Sequence, residues 1–557
     1  MRKPLLSELT LREKIGQTAM GRPCNKEYLD PEHYPYGHIW ALGNIEMGVI
    51  NMADKAGDKK ESLKTWLDFV ENFSSRLKVP LLQGMDCTQG IENSFYETEP
   101  FLDPVTIGAA GGPELAYEAG QLKARLLKCV GSKWLWCPEV DLAGRKGAVH
   151  LGRLYSDEKE KLTAMALADC QGIRSQRVGD CAKHFPSDGS GLEYRDSHVI
   201  QTVSFSTMEQ WRQGQGAIFK ALIDDGVNAV MTTHRSFPAC DPTMLNGKYL
   251  PSTTSYRVVT ELLKGELGFG GVVLSDGVSM RGLVNMYGSL ERVYVECIKA
   301  GIDVVLGVFD GYFDVIEDAV KRGEIPESRI DDACQRVLDL KEKLGLFEED
   351  CKYASDELEQ VNADIRAFRE KVAKKAVSLV CNRDGFLPVK QEAIKNVAII
   401  YSGHDKEGDG KAFDKLQGLV RAFEKRGAKV YLQRRLSSYE EMRRIADEND
   451  LIIHAGYLMR NIPEGFSSFY GEEMLTFHYI LDSGAEKTVG LGLGSPYMYF
   501  DFFHSFRNFI NAYNASPEMM EAVVAAIYGE IPFEGGHPFK LIPAEMQKAM
   551  DEIGMVL

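Results

Sequence analysis

Short apolar runs alternate with longer amphipathic stretches over about the first 345 residues of the chain. The runs are VPLLQGMD (79–86), WLWCPEVD (134–141), VGDCAKHF (178–185), VNAVMTTH (227–234), GVVLSD (271–276) and IDVVLGVFD (302–310). Each is too short for a core helix and suits a parallel strand buried on both faces. Between them, 157–175, 207–224, 254–267 and 286–300 carry helical periodicity. Gly226, Gly268 and Gly301 follow three of these as stop signals. Alternating strand and helix over this length predicts an α/β fold, as a (β/α) barrel or a doubly wound sheet. The ends of the runs favour the barrel. Asp86, Asp141, His184, His234, Asp276 and Asp310 all stand at or beside a carboxyl end. A barrel gathers those ends on one face, whereas an open sheet gathers polar residues near its switch point.

The pattern then changes. Residues 327–347 read as an amphipathic helix stopped by Gly345, and 348–395 as a charged, helix-rich connection with a turn at DGFLPV. A second set of runs follows: NVAIIYS (396–402), AKVYLQ (428–433), DLIIHAG (450–456) and TVGLGLG (488–494). The expected organisation is a (β/α)8 TIM-like barrel over 1–347, a helical linker region over 348–395, and a smaller α/β sandwich with a mainly parallel sheet over 396–557. GLGLGSP lacks the GxGxxG spacing and opens no clear helix, so it is a weak nucleotide signal.

Composition narrows the function. The chain has 557 residues, 44% hydrophobic and 26% charged, with a formal net charge of −16. That balance disfavours a nucleic-acid partner. No apolar run approaches a membrane span. The opening MRKPLLSELTLREKIGQ lacks the apolar core of a signal peptide, which places the expected protein in the cytoplasm. All 11 cysteines lie between Cys24 and Cys381 without a CxxC pair, the pattern of reduced, buried thiols rather than a zinc site.

The chemistry concentrates in a few places. Asp276, followed by Gly, can present a carboxylate at a strand end or cap the next helix. Asp196 and His198, two apart, can place a carboxylate against one ring nitrogen and leave the other to exchange a proton, or can be a solvated loop pair. Lys183 and His184 can bind hydroxyls, satisfy buried carboxylates, or, for Lys183, form a Schiff base. Arg153, His234 and Asp86 have similar double readings as ligand-binding or structural groups. Together, a nucleophilic carboxylate, a carboxylate-supported histidine and several polar groups are equipment for retaining glycoside chemistry, although the common scheme uses two carboxylates.

On these residues the sequence resembles glycoside hydrolase family 3. CAKHFPSDG resembles the family's KHFPGHG segment, and Asp-Ser-His at 196–198 resembles the triplet in its bacterial β-N-acetylglucosaminidase branch. LSDGVSM resembles the nucleophile motif. LTLREKIGQ, GRLYSDE, VMTTH and PSTTSYRVVTELLKGELGFGGVVLSD follow the family's order. The resemblance implies Asp276 as nucleophile, His198 as general acid/base and Asp196 as its orienting group. It implies Lys183, His184, Arg153 and Asp86 as sugar ligands, a terminal β-linked N-acetylglucosamine-type carbohydrate as substrate, and no metal or organic cofactor. Three departures stand near the sugar site: MDCTQGIE lacks the family's Glu-Gly-Gly, Asp188 replaces the second His of KHFPGHG, and the following loop is longer. Rival readings are a β-glucosidase or β-xylosidase drawing an acid/base from Glu472 or Glu473, a phosphorylase, and a sugar-binding protein without turnover.

Overall fold

The computed structural model describes residues 2–21, 30–40, 62–92, 94–142, 152–188, 193, 195, 197–309, 311–348, 354–383, 385–403, 411–458, 469, 471–542 and 544–554. They form an α/β protein of two compact units. The first comprises Met1–Phe101, Ala116–Gly144 and Thr163–Ile365; the second comprises Leu102–Leu115, Arg145–Leu162 and Arg366–Leu557. The units therefore interleave along the chain.

The strands of the first unit are short. In chain order they are β1 (Ala19–Gly21), β2 (His38–Ile39), β3 (Gly84–Met85), β4 (Trp134–Leu135), β5 (Cys181–Phe185), β6 (Ala229–Thr232), the hairpin β7 (Met244–Leu245) and β8 (Lys248–Tyr249), β9 (Val272–Ser275) and β10 (Val305–Val308). β1 pairs in parallel with β2 and β10, β3 with β4, and β6 with β5 and β9. Single parallel bridges, Trp40 to Gly84, Trp134 to Gly179 and Leu274 to Val304, link these groups. Followed in order, the pairings return to β1. Apart from the exposed hairpin, the strands are buried along their length, as continuous apolar runs require.

Met20, Leu82, Trp134, Cys181, Met231, Leu274 and Leu306 meet in one core cluster. The helix Glu327–Lys343 adds Val337 and Leu340 to this cluster and buries Cys334 and Leu338 in a second one with Leu9, Val79 and Phe347, along a stripe at helical spacing. Two expected helices are broken. Residues 207–224 split at Gly214 into Met208–Gln213 and Gln215–Asp224. Near 286–300, Gly288 ends Arg281–Tyr287 in the left-handed region, and Ser289 caps the new helix Leu290–Ala300 through the Arg292 N–H.

The second unit holds one six-stranded sheet: β11 (Ser378–Asn382), β12 (Asn396–Gly403), β13 (Lys429–Arg434), β14 (Leu451–Leu458), β15 (Thr488–Gly494) and β16 (Asn508–Asn511). The spatial order is β11-β16-β15-β14-β12-β13, all parallel except the antiparallel edge strand β11. The stretch 348–395, expected as a helical connection, carries the helix Leu358–Ala376 and also this edge strand. The glycines of TVGLGLG make room for side chains: a Cβ at Gly490 would stand 2.6 Å from the Phe509 ring and 2.7 Å from Phe503. Among the described residues, no helix is long and apolar enough to cross a membrane.

Candidate active site

Asp276 follows the last residue of β9. Its N–H donates to the Thr232 carbonyl at the end of β6 (3.1 Å), which fixes the backbone. One carboxylate oxygen accepts the Gly277 N–H at 2.6 Å. The other has no hydrogen-bond donor among the described residues, and the side chain is partly open. Burial pushes the Asp276 carboxyl pKa up, but His184, His234 and His198 together outweigh it and hold the group below its ordinary range. The carboxylate is therefore ionised at neutral pH, with three imidazoles close enough to be felt.

His234, expected as a sugar ligand, has both ring nitrogens engaged. Nε2 donates to the Gly277 carbonyl (3.0 Å), and Nδ1 lies 2.9 Å from Thr253 Oγ1. Burial lowers its pKa, consistent with a neutral ring. His234 thus braces the Asp276–Gly277 turn.

At the end of β5 the register shifts between Lys183 and Phe185. Lys183, buried, donates to Asp86 Oδ2 at 2.6 Å, while the exposed Asp86 also accepts the Thr88 N–H and hydroxyl through Oδ1. His184 places Nδ1 2.8 Å from Asp141 Oδ2, and its own N–H donates to the same oxygen (3.2 Å). The other Asp141 oxygen accepts the Asp188 N–H at 2.6 Å. This carboxylate sets the His184 tautomer and leaves Nε2 directed elsewhere.

Asp188 is itself buried. Its Oδ1 is 3.1 Å from Arg235 Nε, and its Oδ2 accepts the Ser197 hydroxyl at 2.9 Å. His198 follows, half-buried, with its carbonyl accepting the Arg281 N–H at 3.2 Å. Asp196 lies outside the described residues. Asp141, Arg235 and Ser197 were not among the functional residues expected from sequence. Asp141 stood out only as a strand end, and Asp188 only as a departure from KHFPGHG.

Arg153 is buried within the second unit, beside Gly152, whose carbonyl accepts the Val105 N–H. Glu473, the alternative acid/base, accepts the Gly403 N–H (3.1 Å) and pairs with Arg435 (3.1 Å) inside that unit. Glu139, Asp141 and His184 bring potential metal-ligand atoms within 4.8 Å of one another. Both Asp141 oxygens already accept hydrogen bonds from the chain.

Residues 10–340 match the model of the glycosyl hydrolase family 3 N terminal domain. The chain is 26% identical over 549 residues, 96% of its length and 94% of the relative's, to a beta-N-acetylglucosaminidase/beta-glucosidase of Cellulomonas fimi. It is 31% identical over 258 residues, 43% of this chain and 74% of the relative, to a beta-hexosaminidase of Xylella fastidiosa (strain M23). In fold it is similar to the solved beta-glucoside phosphorylase BglX (TM-score 0.82, 22% identity, 96% of this chain and 94% of that one). It is also similar to a beta-N-acetylglucosaminidase from Paenibacillus sp. str. FPU-7 (TM-score 0.75, 22% identity, 96% and 99%).

Proposed function

The chain belongs to glycosyl hydrolase family 3, and from that premise we propose that it is an exo-acting, retaining β-glycosidase for a terminal N-acetylglucosamine-type sugar. The observation that carries this reading is Asp276: an ionised carboxylate at a strand end, with one oxygen unengaged among the described residues and three imidazoles around it. Asp276 attacks the anomeric carbon. The glycosidic oxygen leaves with the proton of His198, and a glycosyl ester forms on Asp276. His198 then takes a proton from water, the water oxygen attacks the same carbon, and the ester breaks to return Asp276 with net retention. Lys183, His184 and Asp86 hydrogen-bond the sugar, and Asp196 orients His198. The parallel pairings and bridges of the first unit support a (β/α)8 barrel, which would bring these strand ends to one face. The sugar class is supported by the curated relatives from Cellulomonas fimi and Xylella fastidiosa.

One observation favours a second reading. The proton carrier is an imidazole, which is neutral after giving up its proton and repels an anionic acceptor less than a carboxylate would. Phosphate could then replace water in the second step. A panel of p-nitrophenyl β-glycosides of N-acetylglucosamine, glucose and xylose, with and without phosphate, tests both points. The N-acetylglucosaminide is expected to turn over fastest, with free sugar as product. A clear preference for glucose or xylose overturns the sugar class, and a sugar 1-phosphate product makes the enzyme a phosphorylase.

A further inference from the structure

Where the family segment carries its second histidine, this chain carries Asp188. Its surroundings are specific. The carboxylate is 3.1 Å from Arg235 Nε on one side and accepts the Ser197 hydroxyl (2.9 Å) on the other, while its own N–H donates to Asp141 (2.6 Å). Asp188, Arg235 and Ser197 are all buried. Arg235 is fixed in turn: its N–H donates to Thr233 Oγ1 (3.1 Å), and its carbonyl accepts the Ser252 hydroxyl (2.6 Å).

We propose that Asp188 is a positioning residue for proton transfer, anchoring Ser197, and with it the backbone of His198, to the Arg235 segment that follows β6. The inference rests on His198 being the acid/base, as proposed above. A hydroxyl donating to a carboxylate makes a charge-assisted bond, roughly twice as strong as a neutral one. The His198 carbonyl is held from the opposite side by the Arg281 N–H. Residues 197 and 198 are therefore fastened on one side, through Asp188, to Arg235 and on the other to Arg281, both outside their own loop. Proton transfer needs the imidazole within about 3 Å of the leaving oxygen, so a small drift of this backbone slows the step. The Lys183–Asp86 and His184–Asp141 contacts do not pass through Ser197. Loss of the serine hydroxyl should therefore spare sugar binding and weaken proton delivery.

Leaving-group dependence separates these effects. Phenyl β-glycosides need the proton; 2,4-dinitrophenyl β-glycosides depart without it. Ser197→Ala is expected to lose about tenfold in kcat/KM on the phenyl substrate and less than about twofold on the dinitrophenyl one, part of the contribution a general acid makes. Ser197→Thr, which keeps the hydroxyl, should recover most of the loss. Asp188→Asn, which can still accept from Ser197 but no longer faces Arg235 with a charge, should fall between. His198→Ala is the reference and should show the same dependence more steeply. If His198→Ala shows it and Ser197→Ala loses equally on both substrates or not at all, the anchoring role is overturned. If His198→Ala shows no such dependence, the acid/base reading fails and the positioning role falls with it.

Discussion

Charge is buried at both ends of the first unit's strands, and the two ends treat it differently. At the amino ends Asp303 and Lys341 are each saturated. Asp303, just before β10, accepts from Lys264 (2.7 Å), Arg329 (2.5 Å) and the Val273 N–H (2.9 Å). Lys341 gives its three hydrogens to Gln17 Oε1 (2.7 Å), the Gly37 carbonyl (3.0 Å) and the Pro80 carbonyl (2.8 Å). At the carboxyl ends, Asp276 accepts one hydrogen bond among the described residues and keeps a partly open side chain amid three imidazoles. A saturated charge rigidifies and specifies; an unsaturated one keeps an interaction in reserve for a substrate. The same residue types are thus satisfied by the fold at one end and leave a carboxylate partly open at the other.

The sharpest way to break this contrast is Asp276→Asn. A carboxamide cannot form the glycosyl ester, so kcat is expected to fall by several orders of magnitude. Thermal stability should hold or fall slightly, because the three imidazoles favour the ionised carboxylate in the folded state and the carboxamide loses that attraction. Turnover of a p-nitrophenyl glycoside and the melting temperature are read on the same preparation. Normal turnover would remove Asp276 from the mechanism.

The converse variant is Asp303→Ala. It leaves Lys264 and Arg329 with the half-exposed Asp332 as their remaining carboxylate partner among the described residues, and losing one partner of a buried ion pair costs roughly 3–5 kcal/mol. Urea unfolding should record that loss, while kcat/KM per folded molecule stays near wild type. A loss of turnover with unchanged stability would erase the distinction between the two ends.

What the sequence disclosed follows the same division. Strands β3, β4, β5, β6, β9 and β10 all fall within apolar runs, because a strand covered on both faces needs continuous hydrophobicity. β1 and β2 escaped notice: two or three residues suffice to pair, and AMG and HI are too short to stand out. β11 was hidden in a charged stretch because an edge strand is only half covered. In the site, Asp276, Lys183 and His184 were legible as polar ends of apolar runs. The roles of Asp141, Arg235 and Ser197 were not, since each depends on a partner tens of residues away or across a loop. His234 was legible as a position but not as a role: only the Thr253 and Gly277 contacts show that its ring braces the Asp276–Gly277 turn.

The smallest expected effect probes the amino ends by pH. Burial lowers the pKa of Lys341 to about 7, and its three oxygen partners are all neutral. In the unfolded chain the same lysine holds its proton to about 10.4. Between these values the unfolded chain binds more protons, so rising pH favours the folded state. The cost of burying the charge is present in full below about pH 7 and is relieved progressively above it. Between pH 6 and pH 9 this amounts to about 2–3 kcal/mol of added stability. Lys341→Met keeps the aliphatic stem in the helix stripe and removes the titration. Urea unfolding at the two pH values should therefore give a smaller difference for the variant than for wild type. An unchanged difference would mean that Lys341 stays protonated throughout, its three oxygens stabilising the ammonium as fully as a carboxylate stabilises the cations around Asp303.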